Sequence, residues 1–348
     1  MKIKENKVEK RLISDTCNYY FRKDNGLMMT WGKTMEEDPE YSPYGPFILD
    51  IEISTICSGN CKFCYKTNTE IGKNMSFETF KAIFHKMPRT LTQIAFGIGS
   101  IDSNPDLWKI MKYCRNNDYN EVIPNITING QRLTDEYANK LVKLCGAVAV
   151  SRYNSDTCYN AVKKLADLGL KQVNIHQLLC NETLDSCYKV INDWKIDKRL
   201  KDLNAIVFLL MKPKGKRNRF HQLTSLKEYK KLIDYAFECN APIGFYSCSA
   251  LSFIRAVKNR ENFKQLEMLA EPCESNCFSS YINVEGRLFH CSFTEGEDGW
   301  KGIDIINCNN FMDVWNSPEV VKFRKLLMEN HKKYGCRSCP IFDLNMEE

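Results

Sequence analysis

Long hydrophobic runs are the first thing this 348-residue chain lacks. The longest, AIVFLLM at 205–211, falls far short of the roughly 20 apolar residues that a membrane-spanning helix needs. The opening MKIKENKVEKRL is basic and polar, with no apolar stretch behind it. A secretory signal is therefore not expected, and a reducing cytoplasm is. No G-x-G-x-x-G follows the first strand-like run, which argues against a dinucleotide-binding sheet. RRM, KH and zinc-finger signatures are missing, so nucleic acid is not an expected partner, and neither is a membrane. Internal repeats and low-complexity segments are also lacking. A net charge of +6 permits an anionic substrate without pointing to a polyanion.

Cysteine, by contrast, is abundant, with 17 in the chain. In a reducing compartment such a count points to metal or redox chemistry rather than to disulfides. The 43% hydrophobic and 26% charged content is that of a globular protein with room for one large domain and a smaller one.

Two groups of cysteines stand out. Cys57, Cys61 and Cys64 are spaced C-x3-C-x2-C in ISTICSGNCKFCY, directly after the strand-like FILDIEIST. Iron–sulfur clusters are normally held by four thiolates. Three leave one iron of a [4Fe–4S] cluster open to a ligand. A zinc knuckle is the competing reading, but such sites pair two short Cys/His spacings, and here His85 stands alone downstream. The second group is Cys273-x3-Cys277, then Cys291 after Gly286 in a G-x4-C spacing, then Cys336-x2-Cys339. By spacing alone, structural zinc fits C-x3-C and C-x2-C almost as well as a cluster does.

Between these groups, strand and helix signals alternate. Residues 1–46 read as a leader segment, closed by the turn-rich SPYGP at 42–46. Strands are expected at 47–55, 93–99, 123–129, 146–152, 172–179, 205–211 and 242–248. Helices are expected at 76–87, at 134–145 behind Thr134, and at 158–169. Apolar strands alternating with amphipathic helices argue for a parallel α/β sheet, and six or seven units favour an open or closed barrel. AVKNRENFKQLEMLA, from 256, reads as a linking helix, which gives units 1–46, 47–255 and 256–348. In the last unit YINVEGRLFHC reads as two short strands around Glu285–Gly286. NSPEVVKFRKLLMENH reads as a helix capped by Ser317 with Pro318 at its first position.

CSGNCKFCY after a first strand resembles the radical S-adenosylmethionine (radical SAM) superfamily, and the alternating elements match that fold over about 47–250. The resemblance implies an α/β partial (β/α)6 TIM-like barrel. It implies a [4Fe–4S] cluster on Cys57, Cys61 and Cys64, with S-adenosylmethionine chelated at the open iron. The implied reaction is one-electron cleavage of a carbon–sulfur bond, followed by hydrogen abstraction by the 5′-deoxyadenosyl radical. The electron would come from a donor such as flavodoxin or ferredoxin. Phe63 stands where the family often has an aromatic near the adenine. FGIGS resembles, without its glutamate, the family's glycine-rich segment, which would place Gly97, Ile98, Gly99 and Ser100 at the methionine amino group. Asn129 in INGQ either contacts the cofactor or closes a turn. Ser151 and Arg152 end the fourth strand, where ribose and carboxylate contacts usually arise, and a guanidinium fork suits a carboxylate. His176, Leu209 and Met211 are either cofactor contacts or core.

The second cysteine group resembles a SPASM or Twitch extension, a small cysteine-rich domain with auxiliary [4Fe–4S] clusters. The resemblance implies one auxiliary cluster here, because no cysteine follows Cys339. Cys273, Cys277 and Cys291 are its implied core ligands, and Cys336 or Cys339 the fourth; if neither ligates, an open iron could bind substrate. Cys248, ending FYSC, is a candidate hydrogen-atom donor. Enzymes of this subgroup most often modify peptides or proteins, so a peptide or protein is the expected partner. The second reading is a nucleotide or other small anionic metabolite, for which KPKGKRNR at 212–219 could supply phosphate contacts, unless it is only a solvated loop. A non-enzymatic iron–sulfur or zinc-binding module is the remaining alternative.

Overall fold

A computed structural model describes every residue except Thr67 and Asp298. The chain opens with four antiparallel strands, β1 (Lys2–Glu5), β2 (Glu9–Ile13), β3 (Asn18–Arg22) and β4 (Met28–Trp31), paired in sequence order. Where the sequence reads as a leader segment, the structure has a small sheet. Alternating apolar residues on β2 and β3 bury Leu12, Tyr19 and Phe21. Tyr19 stacks on Phe47 at 3.9 Å and its hydroxyl meets Thr92 Oγ1 at 2.9 Å. These contacts lie just before the strands that follow Phe47 and Thr92. The sheet therefore docks on the N-terminal end of the main sheet, away from the cysteine loop.

Seven parallel strands then alternate with helices: β5 (Ile48–Glu52), β6 (Gln93–Gly97), β7 (Ile123–Ile128), β8 (Ala147–Ser151), β9 (Gln172–Leu179), β10 (Ala205–Leu210) and β11 (Ile243–Phe245). The helices are α1 (Phe77–Phe84), α2 (Leu107–Arg115), α3 (Asp135–Leu144), α4 (Ser155–Asp167), α5 (Leu184–Ile196) and α6 (Leu226–Glu238). The expected strand and helix positions are recovered to within a few residues. Side chains do the capping: Ser76, Thr134, Asn154 and Ser225 each accept from a backbone N–H three residues on. After α7 (Ala250–Val257) and α8 (Phe263–Met268) come β12 (Ser279–Ile282), β13 (Arg287–Phe289), β14 (Ile303–Asp304), α9 (Phe311–Trp315) and α10 (Pro318–Tyr334).

Two expectations are corrected here. The linking helix is two helices, because the polar run at 258–262 breaks it. The boundary at 255/256 cuts through α7, and the last segment does not stand apart. β12 pairs in parallel with β5, so the order runs β11-β10-β9-β8-β7-β6-β5-β12-β13-β14. One apolar core reaches from Leu49 to Met346.

Register assigns the faces. Partnered positions put Tyr281, Asp50, Ala95, Asn125 and, one step along, Thr127 and Ala149 on one side of the sheet. The same side continues through Ser151, His176 and Val207. The other side carries Ile51, Phe96, Ile126, Val150, Ile175 and Phe208, which pack under the helices. The first side is rich in polar groups and half-open. It is the inner face, and residues alternate between it and the core along every strand.

Candidate active site and thiol centres

The cysteine loop leaves the C-terminal end of β5, where parallel α/β folds place their chemistry. Cys57 and Cys61 both point at Gly59: its N–H donates to Cys57 Sγ at 3.3 Å, and a Cβ there would sit 3.5 Å from Cys61 Sγ. Burial, together with the Cys64 and Cys57 thiols, raises the Cys61 thiol above its ordinary range. Three thiols therefore share one small loop. Among the described residues no three His, Cys, Asp or Glu side chains converge as a single ion requires. A zinc ion would draw its thiolates in to bonds of about 2.3 Å, whereas a four-iron cube gives each cysteine its own iron and spreads them. Three thiols on one loop are the ligand set that a four-iron cube with one open iron needs.

The neighbouring elements hold this loop. Gly99 is its closest support: a Cβ there would lie 2.5 Å from Cys57 Cβ and closer still to the Ile56 carbonyl oxygen. Gly97, in contrast, has only ordinary contacts and keeps its backbone exposed at the end of β6. Ser100 is buried, and Ile98 packs against the core. Asn129 Nδ2 donates to the Gly99 carbonyl at 3.3 Å, and its Oδ1 accepts from Gln131 N at 3.0 Å, so it ties β7 to FGIGS. Phe63 lies between Tyr153, at 5.1 Å, and Phe220, at 5.3 Å.

On the inner face Ser151 stands opposite His176, and Leu178 opposite Leu209. Burial pushes His176 down to about 4, so the ring is neutral at pH 7. Met211 is buried, and Asn218 Nδ2 meets its sulfur at 3.4 Å.

Arg152 does not meet the expectation of a carboxylate contact. It lies past the inner-facing Ser151, on the helix side, where its guanidinium donates to Tyr159, Gln177 and Ser155 at 2.8–3.0 Å. Asp193 completes the set at 3.7 Å. These partners occupy the fork, so Arg152 is a structural residue.

The basic run 212–219 is also different from either expectation. Arg217 donates to Asn60 Oδ1 at 2.6 Å and to the Asn68 carbonyl. Arg219 N donates to the Lys62 carbonyl at 3.2 Å. Gly215, at φ +104°, lets the run pass so close that a Cβ would fall 2.8 Å from Tyr65 Cα. Lys214 pairs with Glu297 at 2.7 Å. Lys212 is buried over the ring of Phe293 at 3.9 Å. The run is a strap across the cysteine loop.

Sequence reasoning missed a buried charged network just beyond Cys64. Lys66 lies 3.1 Å from Glu52, donates to the Tyr281 hydroxyl at 2.6 Å and pairs with Glu295. Burial raises the Glu52 carboxyl despite Lys66. Burial works the same way on Glu295, but Lys66 and the donors Asn283 and Tyr281 outweigh it and hold that carboxyl low. The network borders a cavity of about 560 Å³, whose charged lining is Glu52, Lys66, Lys73, Lys214, Glu285 and Glu295. Asp50, on the same inner face, was missed too, and burial raises it to about 6. A lone acid or lysine carries no spacing signal: register reveals Asp50 and Glu52 on β5, and only tertiary contact reveals Lys66 and Glu295.

The second set of cysteines divides. Burial, with Cys248 and Cys339 nearby, holds the Cys273 thiol well above its ordinary range. Burial and the same two thiols push Cys291 up to about 12, against the pull of Lys212. Cys277 shares the second core with Cys273, among Phe47 and Phe323, and has Arg337 and Arg324 as its near cations. Cys336 has Arg337 as its charged neighbour. Cys277 and Cys336 thus have arginine as their charged neighbour, whereas Cys273 and Cys291 have the thiols of Cys248 and Cys339. Tyr65, next to Cys64, stacks on Phe293 at 4.3 Å, and Phe293 follows Cys291 by two residues. The two thiol centres are thus joined through one aromatic pair.

Comparison with known proteins agrees with this geometry. Residues 51–154 match the model of the radical SAM superfamily, and residues 273–340 match that of an iron–sulfur cluster-binding domain, SPASM. The chain belongs to the radical SAM superfamily, in the subgroup that carries a SPASM domain. It is an enzyme that uses [4Fe–4S] clusters and S-adenosylmethionine. Comparison with curated proteins finds no match. Among solved structures, Streptococcus suis SuiB superposes with a TM-score of 0.68 at 12% identity, over 92% of this chain and 90% of that one. SuiB bound to the precursor peptide SuiA gives 0.68 at 13%, over 95% and 94%. Native anSMEcpe with bound AdoMet and Cp18Cys peptide gives 0.60 at 16%, over 81% and 83%. At such identities the likeness is one of fold. No helix among the described residues is long and apolar enough to cross a membrane.

Proposed function

We propose that this enzyme modifies a peptide or protein by abstracting hydrogen from an unactivated C–H bond. Cys57, Cys61 and Cys64 would hold the cluster that faces S-adenosylmethionine. Together, cluster and cofactor supply reductive carbon–sulfur cleavage and an abstracting carbon radical. Gly97, with its exposed backbone, would admit the methionine end of the cofactor. Ser151, His176 and Leu209 would line the adenosine side, with Phe63 closing over it. His176, being neutral, adds no charge there, and the strap and Gly99 keep the loop in place. One auxiliary cluster would occupy the second thiol centre. A flavodoxin- or ferredoxin-type donor and a cytoplasmic setting complete the reading, with the parallel strands β5–β11 and their helices as catalytic unit and the segment after α7 as auxiliary unit.

The observation that carries the peptide reading is the commitment of the basic run. Lys212, Lys214, Arg217 and Arg219 are engaged by protein groups, so they do not form a phosphate site. The cavity beside Lys66 carries both signs of charge, which suits a chain with a dipolar backbone and mixed side chains better than a small anion. SuiB and anSMEcpe, whose complexes hold peptides, share the fold.

The test uses reconstituted, reduced protein with S-adenosylmethionine and the product of a small open reading frame beside its gene. The peptide should accelerate 5′-deoxyadenosine release and change in mass or take up solvent deuterium. Acceleration by nucleotides or sugar phosphates, with the peptide inert, would overturn the peptide reading.

A further inference from the structure

Cys248 belongs to the catalytic unit in sequence, yet it lies with the distal cysteines in space. It occupies the tight turn Ser247–Ser249 that follows β11, at the same end of the sheet as the cysteine loop. Tyr246, two residues before it, lies 5.4 Å from Lys212 Nζ, and that ammonium lies 3.9 Å over Phe293. The chain around Cys291 is thereby drawn against the turn. From the other side, Arg255 on α7 donates to the Met346 carbonyl at 2.7 Å, which pins the tail that follows Cys339 to the helix that follows Cys248. Phe342 N–H donates to Cys339 Sγ at 3.4 Å, which turns that sulfur inward. Cys273 joins through its N–H, which donates to the Arg337 carbonyl at 3.0 Å.

We propose that Cys248, Cys273, Cys291 and Cys339 are the four thiolates of the auxiliary [4Fe–4S] cluster, so that one ligand comes from the end of the last parallel strand. Cys277 and Cys336 are not ligands. Each iron then has its own cysteine, and the auxiliary cluster has no open position. Ligation releases each thiol proton to solvent and changes no oxidation state of sulfur. A bound Cys248 has no S–H to give, so the hydrogen-donor role falls with this assignment. The cluster also becomes a covalent tie between the catalytic and distal units.

This assignment rests on the auxiliary cluster proposed above, and its test separates the two. In protein carrying Cys57→Ala, Cys61→Ala and Cys64→Ala, anaerobic reconstitution should leave about four irons per chain and a reduced-state EPR spectrum unchanged by added imidazole. No bound iron in this parent would remove the auxiliary cluster itself. Cys248→Ser, which preserves size and fold, should shift the EPR g-values. Cys248→Ala should either become imidazole-sensitive or lose its iron, with circular dichroism unchanged. Cys277→Ala and Cys336→Ala should match the parent. A parent-like, imidazole-insensitive spectrum in both Cys248 variants would overturn the assignment, as would a spectral shift in Cys336→Ala in place of Cys248→Ser.

Discussion

Gly99 is determined by the loop it supports. A methyl group there would push into Ile56 and Cys57, whereas one at Gly97 meets nothing closer than 3.5 Å. Gly99→Ala should therefore lower iron at the opening cysteines and slow 5′-deoxyadenosine formation, while Gly97→Ala folds and loads iron normally. Iron analysis and product assay check both. Both glycines were visible in FGIGS, but their different duties were not, because a missing Cβ does not say which neighbour needs the space. Arg152 gives the same lesson: its position after the fourth strand was legible, and the face of its side chain was decided by register. A third residue sets acid stability. His290 is buried, and burial pushes its ring down to about 3. The unfolded chain takes up this proton near pH 6.5 and the folded one does not. Its stabilising contribution is thus complete above that pH and is lost as pH falls toward 3, on the order of 4 kcal/mol over the window. Urea midpoints between pH 7 and pH 4 should fall, and fall less in His290→Gln; equal slopes would refute this origin.

At the scale of elements, the strap 212–219 and the cysteine loop act together. Arg217→Ala removes a charge-assisted bond to Asn60 and a second to the Asn68 carbonyl. Such bonds contribute about 1.5–3 kcal/mol to holding the loop, so the variant should load less iron at the opening cysteines and cleave S-adenosylmethionine more slowly, with circular dichroism unchanged. Gly215→Ala puts a side chain on a left-handed backbone against Cys64–Tyr65 and should cost about 1–3 kcal/mol in thermal unfolding. The strands and capped helices were legible because their period and N-cap residues are local. The strap was not, because a charge run looks alike whether it faces water or a partner distant in sequence.

At the scale of the whole molecule, the two units share a sheet. β12 covers the edge of β5, and one core spans both units. A chain ending at residue 272 should therefore expose a sheet edge and aggregate in size-exclusion chromatography, and the full chain should unfold in one thermal transition. Two separate transitions would restore an independent distal domain. The cysteine spacings revealed a second centre in the sequence. Its membership was hidden, since Cys248 lies 25 residues before Cys273 and is brought back by the path of β11.

The most direct measurement is 5′-deoxyadenosine release from S-adenosylmethionine by the reconstituted, dithionite-reduced protein, with iron counted on the same sample. Intact protein should hold about eight irons per chain and release the nucleoside. The Cys57→Ala, Cys61→Ala, Cys64→Ala protein should hold about four and release none above background. Release that survives loss of all three cysteines, or none from intact protein with its iron in place, would contradict the account.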